Sequence, residues 1–183
     1  SSGERSCIVI GIDNGGGERI NEYTPYKHPT YGGGQGETYT TFLVQTLKPF
    51  IDSHFRTLPG PKNTGIAGSS LGGLISYYAA IKHPEIFGKV GVFSPSFWYS
   101  DSLFADVTTY EPFDNQKFYI VAGQNEDEDM VPDIDNYIDK MKIRGINDEQ
   151  LLRLIQPDGQ HSEWFWAREF PAAYKWLDLW DKG

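Results

Sequence analysis

The sequence has few of the features that mark disulfide-bonded, membrane-spanning or nucleic-acid-binding proteins. Its single cysteine, Cys7, cannot form an intramolecular disulfide, so an oxidising compartment is neither indicated nor excluded. No apolar run approaches the length of a membrane span, and no basic-then-apolar signal precedes Ile8. The 16 Lys and Arg residues are outnumbered by 25 Asp and Glu residues, giving a net charge of -9. This balance argues against nucleic acid or an anionic membrane as a partner.

The chain also lacks internal repeats, low-complexity tracts and linkers that would divide it. With 183 residues, 39% hydrophobic and 15% aromatic, we expect a single domain, residues 1–183, with a substantial core. A cytoplasmic location is slightly favoured. A periplasmic or secreted location would fit a chain from which an N-terminal segment had been removed.

Short apolar runs alternate with segments of helical periodicity along the chain. The predicted strands are 7–12, 63–67, 89–93, 117–122 and 151–155. The predicted helices are 37–56, 74–81, 131–143 and 164–180, and the second of them ends at His83-Pro84. This alternation predicts an α/β fold with a mainly parallel sheet, helices on both faces and right-handed crossovers.

In parallel sheets, functional residues cluster at the C-terminal ends of the strands. The loops that leave those ends should therefore share one edge of the sheet. They begin at Asp13, Ser70, Ser94, Gly123 and Gln156.

The segment Gly68-Ser69-Ser70-Leu71-Gly72 has the G-x-S-x-G spacing of a nucleophile elbow. Its glycines leave room for a serine held in a strained backbone conformation. The amides and dipole of the helix that follows would stabilise a negative charge beside Ser70. A glycine-rich turn with an incidental serine is the alternative. The predicted strand before the motif and the helix after it favour the catalytic interpretation.

A serine nucleophile needs a base to remove its proton, and a histidine is the obvious candidate. His161 is the one histidine of four that lies in a loop after a predicted strand. His28, His54 and His83 are better explained as surface or capping residues.

The histidine needs an acceptor that fixes its tautomer, usually a carboxylate. Glu126 is the first carboxylate after the fourth predicted strand and should be nearest the sheet edge, with Asp127 as the alternative. A run of acidic residues is usually a solvent-exposed surface. The alternative for the acids of 126–135 is a Ca²⁺ site. Because EF-hand spacing is absent, we predict no metal.

The chain order Ser70, Glu126, His161 is that of α/β-hydrolases. A tetrahedral oxyanion also requires amide donors. The N–H of Leu71 is one natural donor, and a second should come from another loop on the same edge. Such a reaction needs no cofactor.

Five segments of the chain carry a resemblance to known proteins: Ile10–Asn14, Arg19 with Glu22–Pro25, Gly68–Leu74, Phe87–Pro95 and Gly159–His161. With these segments the chain closely resembles the family that includes esterase D, enterochelin esterases and feruloyl or acetyl-xylan esterases. The resemblance implies an α/β-hydrolase core and acyl-ester hydrolysis through Ser70 and His161, with Glu126 matching the family's acid.

The chain departs from that family at its N-terminal side. In the family, earlier strands precede the strand that matches 8–12. The third strand lies between that strand and the nucleophile strand, and it carries the second oxyanion donor. These strands are missing here or replaced. We expect 8–12 to pair directly with 63–67, and the amides of Asn14–Gly17, among them those of Asn14 and Gly15, to provide the second donor. Imperfectly paired edges would favour a homo-oligomer.

Arg19 resembles the family's arginine before Glu-Tyr-Thr-Pro, and either binds substrate or pairs with Glu22. Trp98 and Trp164 flank the predicted catalytic loops. With Phe97 and Trp166 they would form an apolar or sugar-stacking wall. Core packing is the alternative for these aromatic residues.

The sequence thus predicts a serine esterase that acts on a small-molecule or carbohydrate ester. An acyltransferase of the same fold would use the same residues. A carbohydrate- or siderophore-binding protein without catalysis is the alternative from another class.

Overall fold

In the part of the chain that the structure describes, the sheet is parallel and contains four strands in the order in which they occur in the sequence. The computed structural model describes residues 7–99 and 101–177. The strands are β1 (Gly65–Ser69), β2 (Lys89–Phe93), β3 (Lys117–Gly123) and β4 (Leu151–Gln156). The α-helices are α1 (Arg19–Tyr23), α2 (Gly36–Phe42), α3 (Lys48–His54), α4 (Leu71–Lys82), α5 (Leu103–Thr109), α6 (Met130–Ile143) and α7 (Glu163–Trp176).

Side chains that alternate along the central strands face two separate apolar clusters, as expected for a sheet covered on both sides. On β3, Phe118 and Ile120 belong to the larger cluster, which includes residues of α4, α5 and α6. Tyr119 and Val121 face the other way, into a smaller cluster with Phe165 of α7. The predicted α/β fold with a mainly parallel sheet and helices on both faces is confirmed.

The register of the sheet brings the ends of its strands together. Ser69 pairs with Phe93, Phe93 with Val121, and Gly123 with Gln156. The loops that follow β1, β2, β3 and β4 therefore leave from one edge, which positions Ser70, Glu126 and His161 for contact.

The predicted helix over 37–56 is a nearly continuous helical segment with one irregular turn. A π-helical turn, Leu43–Leu47, lies between α2 and α3. Pro49 follows it in the first turn of α3. Proline has no N–H to donate and crowds the carbonyl four residues earlier, and the wider turn in front of it accommodates both effects.

The prediction of a strand at 7–12 is wrong, and so is its pairing with 63–67. Within the described residues, β1 pairs only with β2. Ile8, Val9 and Ile10 are 42%, 69% and 40% exposed. An apolar run forms a strand only when a neighbouring strand takes up its N–H and C=O groups, and no described strand lies beside this one.

In the described part of the chain, no helix is both long and apolar enough to cross a membrane. The predicted helix at 164–180 corresponds to α7, and the last residues of that prediction, 178–180, lie outside the described residues.

Candidate active site

Ser70 lies at the sharp bend between β1 and α4, where its backbone has φ 59° and ψ -126°. Positive φ is uncommon for a residue with a side chain and costs free energy that the surroundings must offset. Hydrogen bonds hold the bend: the Ser70 N–H donates to Phe93 O (2.9 Å), and Ser70 O accepts the N–H groups of Leu74 (3.1 Å) and Ser96 (3.2 Å). The strain is therefore fixed in place, and it projects the hydroxyl away from the sheet edge.

The side chains of His161 and Glu126 complete a line of contacts with Ser70. His161 Nε2 lies 3.0 Å from Ser70 Oγ, and His161 Nδ1 lies 2.7 Å from Glu126 Oε2. The side chain of Glu126 is 0% exposed, whereas that of His161 is 41% exposed. The acid is thus enclosed, and the imidazole lies between it and the solvent.

Several donors stabilise the negative charge of the Glu126 carboxylate. Burial alone would raise the pKa of this carboxyl, but hydrogen bonds from His161, Ser94 and the Gly123 N–H outweigh it and hold the pKa below its usual range. Oε1 accepts from Ser94 Oγ at 2.7 Å and from the Gly123 N–H at 2.6 Å. Glu126 is therefore ionised at neutral pH.

The loops that carry Glu126 and His161 touch backbone to backbone through two glycines. A Cβ added to Gly123 would lie 2.2 Å from Gly159 O, and one added to Gly159 would lie 2.6 Å from Gly123 Cα. Any side chain at either position would force the loops apart. The two glycines thus permit the approach that brings His161 to Glu126.

Two serines of the loop after β2 also reach the site, and no role was predicted for either. Ser96 Oγ lies 3.4 Å from Ser70 Oγ. Ser94 Oγ donates to Glu126 and accepts the indole N–H of Trp166 at 2.8 Å. The sequence contains one indication of a role for these serines: they follow a strand of a parallel sheet, and polar side chains at that edge are candidates for function.

The predicted oxyanion donors differ in their surroundings. Leu71 is the first residue of α4, and the first N–H groups of a helix have no acceptor within it. The Gly15 N–H already donates to Glu22 Oε2 at 2.8 Å. Asn14 uses its side-chain Oδ1 to accept the N–H of Gly16 at 3.0 Å.

The predicted substrate-binding residues are spread over three surface segments. The Arg19 guanidinium lies over the Tyr23 ring, 5.5 Å from its centre. Trp98 is 46% exposed and Trp164 is 48% exposed. The Arg168 guanidinium covers Trp164 at 5.2 Å.

The other two aromatic residues of the predicted wall are not exposed platforms. Phe97 is 2% exposed and belongs to the larger core cluster. Trp166 lies edge-on to the His161 ring, with ring centres 5.0 Å apart, and its indole N–H is bonded to Ser94. A four-residue wall is therefore reduced to Trp98 and Trp164.

The remaining histidines and the acidic run make local contacts. His28 Nδ1 accepts the N–H of Thr30, His54 Nδ1 contacts Phe50 O, and His83 lies 3.5 Å from Glu85. Asp127 Oδ1 accepts the N–H groups of Asp129 and Met130 at the start of α6. Among residues 7–99 and 101–177, no group of His, Cys, Asp and Glu is arranged to hold a metal ion.

Comparison with known proteins assigns the chain to a family. A family model described as "Putative esterase" matches residues 2–177. The chain belongs to this esterase family. A protein of Bacillus subtilis (strain 168) called "Uncharacterized protein YbbA" is 27% identical to this esterase-family chain over 183 aligned residues, which cover 93% of this chain and 72% of that protein.

Two solved structures share the fold of this esterase-family chain. BES protein from Bacillus cereus gives a TM-score of 0.70 at 19% identity, covering 90% of this chain and 64% of that chain. The enterobactin esterase FES from Shigella flexneri gives a TM-score of 0.66 at 21% identity, covering 78% of this chain and 38% of that chain. The chain thus spans less than two thirds of either crystallised protein.

Proposed function

We propose that this protein hydrolyses carboxylic esters through an acyl-enzyme formed on Ser70. The observation that carries the proposal is the line of contacts from Ser70 Oγ to His161 Nε2 at 3.0 Å and from His161 Nδ1 to Glu126 Oε2 at 2.7 Å. A nucleophile, a base and an orienting acid in mutual contact are the parts that acyl transfer requires. Membership of the esterase family supports the same class of reaction.

In the first half of the reaction, Ser70 Oγ attacks the carbonyl carbon of the ester while His161 Nε2 takes the hydroxyl proton. The carbonyl π electrons move to oxygen and form a tetrahedral oxyanion. When this intermediate collapses, the bond to the leaving alkoxide breaks and the imidazolium returns the proton to it. The alcohol departs, and the acyl group stays on Ser70.

In the second half, water replaces the alcohol. His161 takes a proton from the water as its oxygen attacks the acyl carbon, and then returns a proton to Ser70 as the carboxylic acid leaves. Glu126 keeps the proton of Nδ1 in place during both halves and stabilises the imidazolium. Each proton is returned within one turnover, so the proposed cycle requires no cofactor.

The oxyanion forms beside the N-terminus of α4. The N–H of Leu71 is one donor, and the helix dipole adds positive potential at the same place. Asn14 and Gly15 are the proposed source of the second donor. For Gly15 to act, its N–H must exchange the carboxylate of Glu22, at 2.8 Å, for the oxyanion.

The proposed substrate is a small-molecule or carbohydrate ester. Trp98 and Trp164 are about half exposed, at 46% and 48%, and an indole offers a flat apolar surface to a sugar or an aromatic ring. Arg19 supplies a cation that would bind an anionic group of the substrate.

A fluorophosphonate probe tests the nucleophile directly. Intact mass of the treated protein should increase by one adduct, and Ser70→Ala should abolish the increase. Ser53→Ala is the matched control, because it removes an exposed hydroxyl from α3 that donates only to Phe50 O and contacts His54. Failure of the wild-type protein to label, or labelling that persists in Ser70→Ala, would contradict the proposal.

Turnover of acetyl, butyryl, feruloyl and siderophore esters tests the reaction and narrows the substrate. At least one ester should be hydrolysed by the wild-type protein and not by Ser70→Ala. If the protein is labelled at Ser70 but hydrolyses none of these esters, Ser70 is a reactive nucleophile and the proposed substrate class is wrong.

A further inference from the structure

The Glu126 carboxylate is held at its second oxygen by groups that take no part in the proposed proton transfer. Oε2 faces His161, and Oε1 accepts from Ser94 Oγ and the Gly123 N–H. Ser94 Oγ in turn accepts the indole N–H of Trp166 at 2.8 Å. A hydrogen-bonded chain thus runs from Trp166 through Ser94 to the acid.

The direction of every hydrogen bond in this chain follows from the chemistry of its members. An indole N–H can only donate, so Ser94 Oγ must accept from Trp166, and the hydroxyl hydrogen of Ser94 is left for Glu126. An ionised carboxylate can only accept, so His161 Nδ1 must carry the proton. In the neutral imidazole, Nε2 is then the unprotonated nitrogen, and this tautomer can take the proton of Ser70.

The positions of Ser94 and Trp166 are themselves constrained. Ser94 is fully buried at the end of β2, with φ 43°, and its N–H donates to Val121 O at 2.7 Å. Trp166 lies in the first turn of α7, and its ring stands at 87° to the His161 ring. Trp166 therefore contacts the base through its ring and reaches the acid through Ser94.

We propose that Ser94 and Trp166 are positioning residues that fix the orientation of Glu126 and, through it, the tautomer of His161. Neither residue touches the substrate carbonyl in this scheme. Ser94 completes the set of donors around the buried carboxylate, and Trp166 directs the Ser94 hydroxyl and limits rotation of the imidazole. The kinetic consequences rest on the proposed esterase function, whereas the tautomer of His161 does not.

Three substitutions test the hydrogen-bonded chain that runs from Trp166 through Ser94 to Glu126. Ser94→Ala removes the donor to Glu126. Trp166→Phe keeps an aromatic ring beside His161 but removes the N–H. Trp176→Phe is the matched control: it makes the same change in the same helix, where the ring packs against Tyr119 and Lys117.

In steady-state kinetics, Ser94→Ala should lower kcat by about tenfold, the scale of one lost hydrogen bond to a charged group. KM should change less than about twofold, because the substrate contacts are intact. Trp166→Phe should lower kcat by a smaller factor, and Trp176→Phe should leave it unchanged. Equal effects of Trp166→Phe and Trp176→Phe would overturn the role of Trp166.

A double-mutant cycle separates positioning from general destabilisation. Ser94→Ala should have almost no further effect on kcat in a Glu126→Gln background, because the residue would act only through the carboxylate. A full and additive loss in that background would overturn the proposal. If Ser94→Ala does not fold, the same cycle with Trp166→Phe decides the question.

The proton resonance of His161 Nδ1–H gives a readout that needs no turnover. It should lie far downfield in the wild-type protein, move upfield in Ser94→Ala and Trp166→Phe, and stay in place in Trp176→Phe. An unchanged resonance in both Ser94→Ala and Trp166→Phe would overturn the proposal even if the protein is an active esterase. A wild-type protein with this resonance pattern but without ester turnover would instead contradict the proposed function alone.

Discussion

His161 Nε2 lies 3.0 Å from Ser70 Oγ although the two residues are 91 positions apart in the chain. The contact depends on the parallel sheet, which places the ends of β1 and β4 on one edge, with β2 and β3 between them. The loop after β4 then carries the imidazole back across that edge to the bend at Ser70. Glu126, on the loop after β3, lies at the same edge and contacts the imidazole of His161.

The base is the first member of this arrangement to test by substitution. His161→Gln should lower kcat by at least about 10³-fold, because the Ser70 hydroxyl would lose its proton acceptor. KM should change little, since the imidazole does not bind the ground state of the substrate in this scheme. Steady-state kinetics on any hydrolysed ester provides the measurement.

His83→Gln is the control for that substitution. His83 lies just after α4 and contacts Glu85 at 3.5 Å, remote from the proposed proton transfer. Its replacement should leave kcat unchanged. If the His161→Gln protein is folded and as active as the His83→Gln protein, His161 is not the base.

The choice between Glu126 and Asp127 can be decided by a matched pair of amide substitutions. Glu126→Gln should lower kcat by about 10²- to 10⁴-fold, because an amide can donate to Nδ1 and thereby favour the wrong tautomer. Asp127→Asn should leave kcat nearly unchanged, because Asp127 Oδ1 accepts the N–H groups of Asp129 and Met130. The reverse order of effects would assign the acid to Asp127.

Much of the fold follows from local sequence patterns. The runs at 89–93, 117–122 and 151–155 match β2, β3 and β4, because short and largely apolar segments of this length suit the strands of a parallel sheet. The end of α4 at Lys82 follows from His83-Pro84, since a residue before proline avoids the helical region. Once the sheet is parallel, the loops that carry Glu126 and His161 must share an edge with Ser70.

Features that depend on a distant partner could not be predicted in this way. The run at 7–12 has the composition of a strand, but its apolar side chains are exposed because no described strand lies beside it. The hydrogen bond between Trp166 and Ser94 joins residues 72 positions apart. The Gly15 N–H donates to Glu22, and nothing in a glycine-rich turn indicates which carboxylate it will contact.

The ionisation of Glu126 should make stability depend on pH on the acid side. The pKa of this carboxyl in the folded protein lies below its ordinary value of 4.5, so the unfolded chain binds a proton at higher pH than the folded chain. The stability contributed by the ionised carboxylate is fully present above pH 4.5 and is lost as the pH falls through the folded pKa. Urea unfolding between pH 6 and about pH 3 should show this loss, and Glu126→Gln should flatten it.

Asp158 provides the comparison for the acid-side experiment. A hydrogen bond from the Arg168 guanidinium lowers the pKa of Asp158 as well, but its side chain is 67% exposed. Because solvent screens an exposed ion pair, Asp158→Asn should flatten the pH dependence less than Glu126→Gln does. An equal or greater effect of Asp158→Asn would contradict the importance assigned to the enclosed carboxylate.

The two glycines of the G-x-S-x-G motif should respond differently to alanine. A Cβ on Gly68 would lie 2.4 Å from Gly72 O and 2.5 Å from Gly72 C, so the backbone of the bend would have to move. A Cβ on Gly72 would meet only Tyr23 Cε2, at 3.9 Å, an ordinary contact. Gly68→Ala should therefore destabilise the protein by about 1–3 kcal/mol, and the free energy of unfolding in urea measures the change.

Gly72→Ala is expected to be neutral or stabilising, because alanine in a helix is favoured over glycine by roughly 0.5–1 kcal/mol. The pair thus distinguishes a glycine required by the backbone of the bend from one that the helix merely tolerates. If Gly68→Ala were as stable as Gly72→Ala, the close approach of β1 to the first turn of α4 would not constrain the chain. The strained conformation of Ser70 would then need another explanation than the packing of its own motif.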